Sequence, residues 1–120
     1  MAFTFLRLNA VTRLDRHLMI TRAKEAISEH GSILDFHLFS NHSICFNFEL
    51  AVGKIGKLHD ALQQSGLMLT GETERLLANC RKGLEQLDAK EKASEVTGTL
   101  QITFIHDEPD LRIEVPPITG

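Results

Sequence analysis

The sequence predicts an α+β sandwich: one antiparallel sheet with helices on a single face. Three observations point there. Residues 33–40 and 44–50 alternate apolar and polar side chains and stand close enough to form one hairpin. A stretch spaced at three and four residues precedes them and closes on His30-Gly31. A further alternating run, residues 3–11, precedes that. Period two marks half-buried strands and period 3.6 an amphipathic helix. Strand, helix, strand, strand, then a second helix is the split β-α-β order.

A chain of 120 residues fits one domain, with 42% hydrophobic and 24% charged residues. The core is expected in residues 1–70, a long helix and terminal hairpin in 71–115, and a tail in 116–120. Thirteen basic residues are scattered and the net charge is −3, so the basic stripe of a nucleic-acid binder is missing. Cys45 and Cys80 stand far apart, the pattern of free thiols in a reducing compartment. The first residues read as a strand rather than a leader, and no run approaches the ~18 apolar residues of a membrane span. The expected location is the cytoplasm, with no membrane partner.

In the first strand, Leu6, Leu8 and Ala10 share one face and Phe3, Phe5, Arg7 and Asn9 the other. The Leu face is assigned to the core, because Arg7 and Asn9 would be costly to bury unpaired. Thr12 or Asp15 can cap the helix that follows. Leu14, Leu18, Met19, Ala23, Ala26, Ile27 and His30 form its apolar stripe, and Gly31 suits a left-handed C-terminal turn. In the hairpin, a loop of Asn41, His42 and Ser43 would pair Leu38 with Phe46, Phe36 with Phe48 and Leu34 with Leu50. That register holds all six on one face, with Asp35, His37, Phe39, Cys45, Asn47 and Glu49 on the other.

Residues 53–65 give a second helix stopped by Gly66, with Ile55, Leu58, Ala61 and Leu62 on one side. Leu67, Met68 and Leu69 could make a short strand. A long helix opens at Thr70 and carries Leu76, Leu77, Cys80, Leu84 and Leu87, with Lys90 and Lys92 in its last turn. Gly83 inside it costs about 1 kcal/mol relative to alanine. A linker, 93–98, leads to alternating residues 99–106, a turn at Asp107-Glu108-Pro109-Asp110, and the partner run Leu111, Ile113 and Val115. The sheet's fourth strand is either 67–69 or 99–106.

Asp15-Arg16, the helix ending His30-Gly31 and the following Ser32-Ile33-Leu34-Asp35 resemble the ACT domain. The likeness covers about residues 9–50. It implies a ferredoxin-like βαββαβ sandwich that binds amino acids or similar small effectors, often at interfaces between paired domains. It places the ligand region at the first turn, the start of the first helix and the second strand. Where the family has Pro-Gly, this chain has His17-Leu18, so a side chain stands where backbone N–H groups would approach a ligand carboxylate.

Asn9, Thr12, Asp15, Arg16, His17 and Leu18 are therefore the candidate ligand-binding residues, suited to a carboxylate or other small anion. His37, Cys45 and Asn47 share a face without a third ligand, so no metal and no cofactor is expected. No nucleophile motif or phosphate loop is present, and no catalytic residue is assigned. The expected function is a non-catalytic, stand-alone ACT-like small-molecule-binding module, dimeric through its strands. The alternative is a structural or protein-interaction module acting through its exposed sheet face or long helix. Phe3, Phe5 and Phe39 make that face more apolar than a wetted one needs, which favours a homodimer.

Overall fold

The computed structural model describes residues 5–40 and 42–105. The elements in chain order are β1 (Phe5–Thr12), α1 (Arg16–His30), β2 (Gly31–Phe39), β3 (Ser43–Ala51), α2 (Ile55–Gln64), β4 (Met68–Leu69), α3 (Gly71–Leu84), α4 (Ala89–Ala93) and β5 (Glu95–Phe104). A single 3₁₀ turn, Val52–Lys54, leads into α2. The result is an α+β fold with one five-stranded sheet in the order β2-β3-β5-β1-β4.

The sheet is mixed rather than antiparallel, because β5 runs parallel to β1 and antiparallel to β3. Both candidates for the fourth strand are used. Met68–Leu69 pairs with β1 at one edge, while Glu95–Phe104 enters the middle, between β1 and β3. The last described strand is thus the central one. Its predicted start was too late: Glu95 to Gly98 belong to the strand and are not a linker. The terminal turn and the run 111–115 lie outside the described residues. On β5 itself, both hydrogen-bonding edges are occupied by β1 and β3.

The Leu face of β1 is the core face, as its alternation predicts. Leu6, Leu8 and Ala10 are buried there, with Ile44, Phe46, Phe48 and Leu50 of β3 and Val96, Leu100, Ile102 and Phe104 of β5. Strand register aligns these into cross-strand rows, such as Phe46–Leu100–Leu8 and Phe48–Gly98–Leu6. In the second row the small residue is required. A Cβ on Gly98 would lie 2.5 Å from the Leu6 carbonyl oxygen and 2.9 Å from Phe48 Cζ. Helix α1 closes the core with Met19, Ala23, Ala26 and Ile27, α2 with Ile55, Leu58 and Leu62, and α3 with Leu77 and Cys80.

Four local expectations are corrected. Gly31 is extended, with φ −156°, and not left-handed; helix α1 passes directly into β2. A side chain there would meet the Glu49 carbonyl oxygen at 2.5 Å and Leu50 Cβ at 2.6 Å, so close strand approach explains the glycine. Leu14 and Leu18 are exposed and do not extend the core stripe of α1. The predicted long helix is two, since α3 ends at Leu84. There the carbonyls of Lys82, Gly83 and Leu84 accept from residues three ahead, tightening the last turn. Asp88 then caps α4 in a reciprocal box with Glu91.

The fourth correction concerns the hairpin. It pairs Phe36 with Phe46, Leu38 with Ile44 and Phe39 with Ser43, two residues away from the predicted register. β3 is fixed from its other side too, with Ser43 opposite Thr103 and Phe46 opposite Leu100, so it begins at Ser43 and the turn moves back. A two-residue slip preserves faces. A bulge between Ile33 and Asp35 shifts the register by one residue more, so Gly31 and not Leu34 lies opposite Leu50, and Ile33 takes the helix-side position opposite Phe48.

Candidate functional site

The six residues singled out at the first turn gather at the end of β1 and the start of α1, but their roles are largely internal. Asn9 donates its backbone N–H to Thr73 Oγ1 at 2.9 Å, and its carbonyl accepts from Thr70. Thr12 is buried, and its Oγ1 accepts from the Leu14 N–H at 3.1 Å. Asp15 is the N-cap of α1: its carboxylate accepts from the Leu18 N–H at 3.0 Å. That carboxylate serves a helix terminus that would otherwise attract an anion. Arg16 opens the helix and is partly buried, while His17 and Leu18 are exposed.

Two open grooves lie elsewhere. One, of about 660 Å³, runs between α1 and α2 past Arg22, Glu25, Glu29 and Gln64. A second, of about 330 Å³, sits where α1 enters β2, beside His30, Glu49, Lys54 and Glu95. Neither is lined by any of the six residues.

Between α2 and α3 lies a polar cluster that the sequence did not single out. His59 is buried, with Nε2 2.7 Å from Glu74 Oε1 and Nδ1 3.3 Å from Arg81 Nη1. Arginine can only donate, so Nδ1 accepts and the ring proton sits on Nε2, donating to Glu74. Gln63 also donates to Glu74, and Arg81 donates to Asp60 at 2.8 Å. The hydrogen bond from His59, with that from Gln63, holds the Glu74 carboxyl below its ordinary value; the bond from Arg81 does the same for Asp60. Both imidazole nitrogens are engaged, so the cluster clamps two helices together. The adjacent letters His59-Asp60 hint at none of this, because Glu74 and Arg81 arrive from another helix.

The sheet face opposite the helices carries Arg7 and Asn9, Cys45 and Asn47, and Thr97, Thr99, Gln101 and Thr103. Register sets His37, Cys45, Gln101 and Asn9 in one row, and Asp35, Asn47, Thr99 and Arg7 in the next. Asn47 donates to Asp35. Burial, followed by the Asp35 charge, raises the Cys45 thiol above its ordinary value, which keeps it protonated and a poor nucleophile. Among the described residues no group of three His, Cys, Asp or Glu could hold a metal. The central column of this face is threonine and glutamine, so it is more polar than expected. Phe5 and Phe39 sit in rows at opposite ends of it.

Exposed apolar surface concentrates instead on β2. Leu34, Phe36, Leu38 and Phe39 are 53%, 43%, 55% and 53% exposed. Phe36 does turn toward the helices: its ring centroid is 5.9 Å from that of Phe46, and Lys24 of α1 lies over it at 4.6 Å. Yet β2 is the edge strand, and among the described residues no strand pairs with its outer side. The opposite edge is treated differently. Two-residue β4 ends the sheet there, and Thr70 and Thr73 at the start of α3 bond the Asn9 backbone.

No helix among the described residues is long and apolar enough to cross a membrane. No family model matches the chain, and neither curated proteins nor solved structures give a significant match.

Proposed function

We propose that this protein is a non-catalytic interaction module that associates through the edge of β2. In this reading its core is ferredoxin-like: β2, β3, β1 and β4 keep that order, and β5 widens the sheet between β3 and β1. The observation that carries the proposal is the exposure of four large apolar side chains on one nine-residue edge strand, whose outer side no strand pairs among the described residues. Edge strands of soluble proteins are normally short, charged or covered, because free backbone N–H and C=O groups template pairing. β2 is long and apolar, and a pairing strand would satisfy both its backbone and its side chains. Sedimentation velocity of the wild type against Leu38→Lys tests it. Association of the wild type, abolished by the lysine without loss of helical signal, supports the proposal; a wild type that neither self-associates nor captures a β-strand peptide removes it.

A second reading keeps the ACT-like small-molecule sensor, with an amino acid or other small anion at the start of α1. It is supported by exposed His17 beside Arg16 and by a first helical turn that holds no acid. Thermal-shift titration with amino acids and nucleotides decides it: stabilisation lost in Arg16→Ala supports it, and no stabilisation by any compound removes it.

A further inference from the structure

Resting on the reading of β2 as a pairing edge, we infer that its partner is β2 of a second copy, laid antiparallel with Phe36 on the two-fold axis. Opposed residues in an antiparallel pair point to the same side. A two-fold axis through a residue therefore keeps the apolar face of one strand against that of the other. An axis between residues would set apolar against polar positions along the whole strand. An axis through Leu38 or Phe39 would pair almost nothing before the turn at Ser40, which leaves axes through Asp35, Phe36 and His37. Through Asp35, the two aspartates would face each other, and like charges directly opposite are destabilising. Through His37, two imidazoles would meet, and Asp35 would face Phe39. Through Phe36, the pairs next to the axis are complementary. Phe36 faces Phe36 on the helix side. Asp35 faces His37 twice on the other side.

The bulge fits this register. It ends at Asp35, so the regular part of β2 runs from Asp35 to Phe39 and includes the axis and both charged positions. Pairing would join two five-stranded sheets into one of ten, with the helices of both copies on the same side. The half-exposed Phe36 rings, each beside a Phe46 in its own copy, would then complete a row across the axis.

Cross-linking tests the register. In a Cys45→Ser, Cys80→Ala background, Phe36→Cys should form a disulfide dimer under mild oxidation. Leu38→Cys alone should not dimerise. Because Phe36→Cys also removes an anchor, charge variants provide a second readout in the wild-type strand. His37→Asp should weaken the dimer by about tenfold, and His37→Lys should tighten it. Dimers that cross-link through Leu38→Cys alone, or that ignore both His37 variants, would overturn this register while leaving the pairing edge in place. A chain that stays monomeric at every concentration, or whose β2 edge is covered by another segment of its own, would overturn the register and the pairing edge together.

Discussion

β2 and β3 form one hairpin and carry nearly the same alternation, yet they meet opposite fates. Phe46 on β3 is fully buried, whereas its cross-strand neighbour Phe36 on β2 is 43% exposed. Ile44 is buried and Leu38, opposite it, is not. Side-chain pattern does not separate the two strands; position does. β3 has β5 on its far side and the helices above it, while β2 is an edge that α1 covers only in part. An alternating strand states which face is apolar, but not whether anything comes to cover it. Here the exposed apolar face lies on a strand whose outer edge no described strand pairs, and that coincidence is the basis for reading β2 as an association surface.

The contrast can be broken most forcefully from the buried side. Phe46→Ala should cost ~3–5 kcal/mol in urea denaturation, since it empties the centre of the core. A loss as small as that of a surface change would contradict the assigned packing. Gly98→Val should follow at about 1–3 kcal/mol, because the added carbons press on the rigid Leu6 backbone and on Phe48. His59→Ala should cost about 1–3 kcal/mol by leaving Glu74 and Arg81 without their shared partner. On the exposed side, Phe36→Ala should lower monomer stability by about 1 kcal/mol or less while weakening association.

The smallest expected effect is one of pH. Glu74 titrates below its ordinary value of 4.5 in the folded protein, through hydrogen bonds from His59 and Gln63. A depressed carboxylate favours folding above its unfolded value and loses that contribution as pH falls through the folded one. Stability should therefore drop on acidification below about 4.5, and Glu74→Gln should flatten part of that slope. The change should be small, because the Glu74 side chain is 38% exposed and solvent screens it.

Much of the fold was legible from local chemistry. The core faces of β1 and β3, a cap at Thr12 or Asp15, the helix start at Thr70 and the helix and strand order of residues 5–69 follow from period, capping and turn residues. The sheet order did not, because inserting β5 between β1 and β3 is a long-range choice that alternation in 99–106 does not encode. The hairpin register missed by two residues for the same reason: β5 sets the start of β3 from the side that hairpin logic cannot see. At the candidate site, the gathering of Asn9 to Leu18 was legible. That Asp15 spends its carboxylate on its own helix shows only in the geometry, and the His59 clamp needed two helices brought together.

Amide hydrogen exchange of β2, measured across a range of protein concentration, tests the central claim most directly. The account predicts that protection within residues 35–39 rises with concentration while the buried amides of β3 stay unchanged. Equally fast exchange of the outer amides of β2 at every concentration would contradict it.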